Sequence, residues 1–388
     1  MLANRMKHLG TESAFSVLAR AKELEATGKE VVHLEIGEPD FDTPKHIRDA
    51  AIKALEDGYT HYVPAPGLPE TRQAIARHTA ERRNIDVDWR HVIVTPGAKP
   101  IMFFTILALA QRGSEVIYPN PGFPIYESMI RFCGARPVPM PLLERNNYHP
   151  DLNDLAKKIT KRTRLIILNS PNNPCGSILS RDEIVTLGKI IKDYPDLYVL
   201  SDEVYKDILY DGSHVSIAAQ PGMASRTIIL DGLSKSHAMT GWRLGYGVFP
   251  EELVEHVTRL AVNSVSCTSA FSQRAIIDAL EGPQTSVENM VQEFRKRRQV
   301  IVDGLSQIPG FRCPTPEGAF YAFANIQGTG LTSPEFEDRA LTEAGVALLS
   351  GEGFGRYGKG YVRFSYANSI DNLQKAIQRL RDFVSTLG

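Results

Sequence analysis

The fold is decided by the stretch DGLSKSHAMTGWRLG, residues 231–245. It follows the apolar, β-branched run Thr227–Leu230, which predicts a buried strand. Lys235 comes just after this strand between small residues, so it can be held in one pose, and Arg243 supplies a cation nearby. A serine and a lysine after a strand are weak evidence by themselves, since most lysines are solvated surface residues.

Two further strands end in polar groups that suit the same site. The run 165–170 leads to Asn173, and the run 198–201 leads to Asp202 and Tyr205. The strand–helix–strand rhythm predicts a mostly parallel sheet covered by helices. Ligands bind outside the carboxyl ends of such strands, so these groups and Lys235 are predicted to share one site. An Asn-Asn-Pro sequence by itself would predict no more than a turn.

Several strings of the sequence resemble one enzyme family. They are residues 231–245, the Gly-Glu-Pro-Asp-Phe motif from Gly37, the Gly-Ala-Lys motif from Gly97 and the Val-Arg-Phe-Ser-Tyr-Ala segment around Arg363. Together they resemble the class I/II aminotransferases, which use pyridoxal 5'-phosphate (PLP), over residues 32–367. The similarity is greatest to the bacterial and archaeal branch that includes broad-specificity aspartate aminotransferases.

The resemblance implies the PLP-dependent transferase fold, of class α/β. A large PLP-binding domain is expected over residues 46–285, with a mostly parallel seven-stranded sheet flanked by helices. A smaller α+β domain is expected over residues 286–388, and residues 1–45 form an N-terminal arm and part of that domain. A length of 388 residues fits two domains. Within this frame Thr43 is predicted to cap a helix that opens with Pro44.

The resemblance also assigns a role in PLP binding to a set of residues. The set is Tyr62, Gly97, Ala98, Lys99, Phe123, Asn173, Asp202, Tyr205, Ser234, Lys235 and Arg243. Lys235, Asp202 and Tyr205 are the implied catalytic residues, with Lys235 bonded to the cofactor and later moving the substrate's Cα proton. Tyr62 would reach the cofactor phosphate of the other subunit of a homodimer. Phe123 would stack on the pyridine ring, where aspartate-type relatives commonly have tryptophan.

The implied substrates are an L-amino acid and a 2-oxo acid, with 2-oxoglutarate or pyruvate as the expected acceptor. Gly37, Asn173, Arg363 and Phe15 are the implied substrate-binding residues, and the planar guanidinium of Arg363 suits an α-carboxylate. The sequence reveals no second cation for a side-chain carboxylate. Specificity is expected to be aspartate-like or broad, and alanine-, arginine- and aromatic-type enzymes look much alike.

Composition argues against other classes of partner. The 44 basic and 45 acidic residues give a net charge of -1, which predicts no nucleic-acid surface. No apolar run is long enough to cross a bilayer, and no secretory signal is visible. Four scattered cysteines, Cys133, Cys175, Cys267 and Cys313, predict free thiols in the cytoplasm and no metal site.

Two alternative functions use the same fold. A PLP-dependent C–S β-lyase would carry identical cofactor residues and differ only in the fate of the carbanion. A PLP-binding transcriptional regulator would need an added DNA-binding module, and the family resemblance leaves little spare length at either end of the chain. Aminotransfer is the interpretation that the sequence favours.

Overall fold

The structure is a computed structural model that describes residues 2–387. The α-helices are α1 (Ser13–Ala26), α2 (Lys45–Glu56), α3 (Pro69–Arg83), α4 (Lys99–Leu109), α5 (Pro124–Phe132), α6 (Leu152–Lys158), α7 (Arg181–Lys192), α8 (Glu251–Val265), α9 (Ala270–Glu281), α10 (Thr285–Ser306), α11 (Ser333–Arg339) and α12 (Ile370–Ser385). The strands are β1 (Val32–His33), β2 (Val92–Pro96), β3 (Glu115–Asn120), β4 (Arg136–Pro141), β5 (Thr163–Asn169), β6 (Tyr198–Asp202), β7 (Thr227–Gly232), β8 (Leu244–Val248), β9 (Tyr321–Asn325), β10 (Val346–Ala347), β11 (Leu349–Ser350) and β12 (Tyr361–Ser365).

Seven strands form the main sheet in the order β2-β8-β7-β6-β5-β3-β4. Only β8 runs antiparallel to its neighbours, so the predicted mostly parallel seven-stranded sheet is confirmed. Apolar residues run continuously along the central strands because helices cover both faces. In β7, Ile228 and Leu230 pack in the core that contains α4, α5 and α8, while Ile229 packs in the opposite core with α2, α3 and α9.

A smaller unit contains the remaining strands. Antiparallel β11, β12 and β9 form one sheet, and β1 pairs in parallel with β10. Phe294 of α10, Phe364 of β12 and Leu380 of α12 lie in its core. The division of the chain at residues 45 and 285 stays a prediction, and its outer ends, Met1 and Gly388, lie outside the described residues.

The predicted start of α2 is wrong. The helix begins at Lys45, Pro44 occupies the cap position, and no side chain caps the helix. The hydroxyl of Thr43 instead donates to the Ala238 carbonyl at 2.7 Å and accepts from the Trp242 indole at 2.9 Å. Thr43 therefore ties the start of α2 to the loop after Lys235, a long-range contact that overrides the local capping preference.

Within residues 2–387, no helix combines the length and the apolar character that crossing a membrane requires. The same residues contain no group of three or more histidine, cysteine or acidic side chains that could hold a metal ion. The four cysteines are free thiols.

Candidate active site

A cavity of about 570 Å³ lies at the carboxyl ends of the central strands. Strands β5, β6 and β7 are parallel neighbours, and their register sets Asn169 beside Asp202 and Asp202 beside Leu230. The predicted site residues that line the cavity are Phe15, Gly37, Ala98, Lys99, Phe123, Asn173, Asp202, Tyr205, Ser234, Lys235, Arg243 and Arg363. The strand-end argument thus brought the distant segments together correctly.

Gly97 and Tyr62 are the two predicted residues that do not line this cavity. Gly97 is nevertheless adjacent, because a Cβ added to it would lie 2.2 Å from Nη2 of Arg243. Tyr62 is 92% exposed in its own chain.

Lys235 extends into the cavity from the loop after β7. Its ammonium donates a hydrogen bond of 2.6 Å to the carbonyl of Gly37. Removal from water lowers the pKa of Lys235 to about 8, and the nearby guanidinium groups of Arg363 and Arg243 also lower it. A neutral amine is therefore accessible to Lys235 near neutral pH.

Asp202, the last residue of β6, is a buried carboxylate. Burial raises its pKa to about 6, although the Tyr126 hydroxyl donates to it at 2.5 Å. No lysine, arginine or histidine within residues 2–387 forms a salt bridge with Asp202. A ring nitrogen that carries a proton would supply the missing hydrogen-bond donor, so the carboxylate fits the pyridine of PLP.

Arg363 lies on β12 and crosses from the small unit to the cavity. Its Nη1 donates to Oδ1 of Asn173 at 3.1 Å and its Nη2 donates to the carbonyl of Glu35 at 2.5 Å. The guanidinium is 4.4 Å from the ring centroid of Tyr321. It is 4% exposed, and among the described residues its Nε has no hydrogen-bond partner. A buried cation with a free N–H suits an anionic group of a ligand.

The other end of the cavity suits a phosphate. Gly97 has a φ of +83° and precedes α4, whose first amides have no partner within the helix. A Cβ on Gly245 would lie 2.2 Å from the amide nitrogen of Ala98, so only glycine allows this close approach. Arg243 is exposed, and its Nη1 donates to the Thr240 carbonyl at 2.7 Å.

Phe123 and Lys99 form one wall. The Phe123 ring meets Tyr126 edge-on with centroids 5.6 Å apart, and the Lys99 ammonium is 5.5 Å from the Phe123 centroid. Lys99 also forms an ion pair with Glu12, which precedes α1. The side chain of Lys99 is therefore directed away from the Gly97 turn.

Among the cavity residues that were absent from the sequence prediction are Tyr126, Tyr321 and Glu12. Tyr126 lies in the first turn of α5, three residues after Phe123, so its closeness in sequence to a predicted site residue is a signal that could have revealed it. Tyr321 hydrogen bonds to Tyr205 through the two hydroxyls at 2.8 Å, but in sequence it is an ordinary strand aromatic. Glu12 gives no local signal.

A buried ion network supports the strand ends from behind. Arg83 donates to Glu203 at 2.6 Å and to Asp231 at 2.7 Å, and all three side chains are fully buried. Lys206 contacts Asp231 at 3.0 Å and Asp207 at 2.8 Å. Despite burial, the Arg83 guanidinium holds the pKa of Glu203 well below its usual range. The network links α3 to the ends of β6 and β7, which carry Asp202 and lead to Lys235.

Comparison with known proteins identifies the family. The sequence model described as "Aminotransferase class I and II" matches residues 29–380. The chain is 40% identical to an aspartate aminotransferase of Pyrococcus horikoshii over 98% of this chain and 96% of the relative. It is 41% identical to an aspartate aminotransferase of Geobacillus stearothermophilus over 99% of this chain and 98% of the relative.

Solved structures agree with the sequence relatives. The aspartate aminotransferase of Thermus thermophilus with maleate superposes with a TM-score of 0.94 and is 34% identical, covering 98% of this chain and 99% of its own. None of these matches supports the lyase alternative. The chain belongs to the class I and II aminotransferase family and is a PLP-dependent aminotransferase.

Proposed function

We propose that this enzyme moves an amino group from an L-amino acid to a 2-oxo acid in two half-reactions, through the residues of the cavity described above. The acceptor is 2-oxoglutarate or pyruvate, and the donor specificity is aspartate-like or broad. The observation that carries the proposal is that one cavity holds a lysine of lowered pKa, a buried carboxylate and a buried arginine, and that within residues 2–387 the carboxylate has no basic partner and the arginine Nε has no acceptor.

Residues at both ends of the cavity would hold PLP. Asp202 would pair with the pyridine nitrogen, Asn173 and Tyr205 would hold the phenolic oxygen, and Phe123 would lie against the ring. Ser234, Arg243 and the main chain of Gly97, Ala98 and Lys99 would bind the phosphate. The main chain is the suitable part of Lys99 because its ammonium pairs with Glu12. When bound, PLP withdraws electrons from the substrate and makes its Cα proton acidic.

Lys235 performs the proton transfer. Its amine would form the covalent bond to PLP and, when free, would be placed to take the Cα proton of the substrate. Because burial lowers its pKa to about 8, roughly one-tenth of the free amine is neutral at pH 7. The carbonyl of Gly37, 2.6 Å from Nζ, limits where the amine can lie.

Arg363 orients the substrate. Its free Nε and its Nη groups offer two parallel donors to the α-carboxylate, with Asn173 and the Gly37 main chain beside it. Phe15, which is 64% exposed at the cavity, lies where a side chain of the substrate would leave the site. Fixing the α-carboxylate directs the Cα–H bond towards Lys235.

The enzyme acts as a cytoplasmic homodimer in this proposal. The 92% exposure of Tyr62 and its position outside its own cavity support a contact with the phosphate site of a partner subunit. Four free cysteines support a reducing compartment. Mixing Tyr62→Ala with Lys235→Ala subunits should restore activity, because a mixed dimer contains one intact site. Failure of such mixtures to gain activity would contradict shared sites.

A single-turnover assay tests the reaction. The PLP-loaded protein, given one L-amino acid without acceptor, should form one equivalent of the matching 2-oxo acid per subunit and then stop. Adding a 2-oxo acid should return the protein to its starting absorption spectrum. Lys235→Ala should be inactive, while Lys45→Ala, an exposed lysine of α2, should behave as wild type. Continuous release of ammonia in place of amino transfer would contradict the proposal.

A further inference from the structure

Glu12 and Lys99 form an ion pair, and both residues line the cavity. Lys99 is the first residue of α4, and Glu12 occupies the cap position of α1. The Glu12 side chain makes no hydrogen bond to the first amides of its own helix and instead accepts from the Lys99 ammonium. Its carboxylate is 21% exposed, whereas the Lys99 side chain is 47% exposed. The contact is therefore a directed pairing across the cavity wall and not a local helix cap.

The basic side chains of the cavity have different tasks. Four of them line it within the described part of the chain, namely Lys99, Lys235, Arg243 and Arg363. Under the proposed function Lys235 bonds to the cofactor, Arg243 binds its phosphate, and Arg363 binds the α-carboxylate of the substrate. Lys99 is then the cation of this lining that remains for a second carboxylate of a substrate. Glu12 occupies it.

The charge left around the substrate side chain is negative. Glu12 neutralises Lys99, and Glu38, which also lines the cavity, accepts a hydrogen bond from the Thr240 hydroxyl and has no lysine or arginine partner among residues 2–387. To pair with Lys99, a substrate with a side-chain carboxylate must separate Glu12 from Lys99. The carboxylate of the substrate then lies near a second anion, Glu38. A substrate with one carboxylate leaves the pair intact, and Phe15 and Ile36 offer it apolar surface.

We infer that Glu12 is a specificity-determining residue that competes with the second carboxylate of a substrate for Lys99. The competition favours monocarboxylic donors and acceptors, of the L-alanine and pyruvate type, over dicarboxylic ones of the aspartate and 2-oxoglutarate type. The inference rests on the proposed function, since it takes Arg363 as the site of the α-carboxylate. Of the possibilities that the proposed function allows, it selects pyruvate as the acceptor and broad over aspartate-like donor specificity.

The first test is a double-mutant cycle on relative turnover. Glu12→Gln keeps the shape of the side chain and removes its charge. It should raise kcat/KM for L-aspartate relative to L-alanine by about tenfold, the effect of freeing one charge-assisted hydrogen bond. In a Lys99→Met background the same change should alter the ratio by less than about twofold, because no cation remains to compete for. Glu23→Gln is the control, because Glu23 is an exposed carboxylate of α1 that does not line the cavity, and its ratio should stay within about twofold.

A binding experiment gives a second readout that needs no turnover. Maleate, an unreactive dicarboxylate, should bind the PLP-loaded Glu12→Gln protein about tenfold more tightly than wild type, while propionate should bind both equally. An unchanged aspartate-to-alanine ratio in Glu12→Gln, or an equal rise in Glu23→Gln or in the Lys99→Met background, overturns the inference alone. If no donor yields a 2-oxo acid, the proposed function fails and the inference fails with it.

Discussion

The hydroxyl of Tyr126 donates a hydrogen bond of 2.5 Å to Oδ2 of Asp202, and both side chains are buried. This donor lowers the pKa of Asp202, whereas burial, the largest effect, raises it to about 6. Tyr126→Phe removes the donor and should raise that pKa further, so the carboxylate pairs less well with a protonated pyridine nitrogen. We expect the Kd for PLP to rise about tenfold, the equivalent of one hydrogen bond to a charged group.

Equilibrium dialysis of PLP against the cofactor-free protein measures this change. Tyr118→Phe is the matched control, since Tyr118 is also buried and donates to a carboxylate, Glu127, but does not line the cavity. It should leave PLP affinity unchanged. Equal losses in the two variants would show that the effect is not specific to Asp202.

The lowered pKa of Lys235 predicts the pH dependence of cofactor loading. The neutral amine reacts with the aldehyde of PLP, and burial lowers the pKa of Lys235 to about 8. The rate of covalent loading, followed by absorbance, should therefore rise with pH and level off above a midpoint near 8. A midpoint near the ordinary lysine pKa of about 10.5 would contradict the burial argument.

The same shift predicts how stability varies with pH. The folded pKa of about 8 lies below the unfolded value of 10.5, so between these pH values the unfolded chain binds more protons at Lys235 than the folded chain. The free energy of unfolding of the cofactor-free protein should rise with pH across this window relative to Lys235→Met. Denaturant titrations of both proteins at several pH values measure the difference. A constant difference would contradict the prediction.

Arg83 compensates two buried carboxylates, Glu203 and Asp231. Arg83→Met leaves Glu203 without its buried arginine and Asp231 with Lys206 as its cation, and should lower the free energy of unfolding by about 3–5 kcal/mol. Arg77→Met is the control on the same helix, because Arg77 pairs with Glu281 at the surface, and its effect should be below about 1 kcal/mol. Urea denaturation at neutral pH compares the two. Similar losses in both variants would show that the buried network adds no more than a surface pair.

Arg363 should affect substrate binding through its planar geometry. Arg363→Lys keeps the charge but removes the paired donors, so kcat/KM for an amino donor should fall by roughly 10- to 100-fold. The affinity for PLP should change little, since the proposed role of Arg363 is to bind the substrate. Steady-state kinetics and PLP binding measure the two effects, with exposed Arg356→Lys as the control. An equal loss of PLP affinity would place Arg363 at the cofactor instead.

The predictable parts of the site are those that local sequence determines. Asn173, Asp202 and Lys235 each follow an apolar run, and the edge of a parallel sheet gathers such groups whatever the details of packing. Tyr126 and Tyr321 were not predicted as site residues, because an aromatic residue in an apolar segment is interpreted as part of the core until the partner of its hydroxyl is known. Glu12 was not predicted because its partner, Lys99, lies 87 residues away in sequence.

The wrong prediction of a helix cap at Thr43 also results from a contact with residues distant in sequence. A threonine before a proline predicts a helix cap from local propensity, yet its hydroxyl bonds to Ala238 and Trp242, about two hundred residues later in the chain. The confirmed sheet depends on patterns repeated over many residues, which a single long-range contact does not disturb.

The N-terminal position of Glu12 and Phe15 separates the residues proposed to set substrate specificity from those proposed to hold the cofactor. Both residues lie in or beside α1, whereas Asp202 ends a strand of the large sheet and Asn173 follows one. A mutant library confined to α1 and the residue before it can therefore vary one wall of the cavity without changing the two polar side chains at these strand ends. This division makes the chain a suitable starting point for directed evolution of its substrate range.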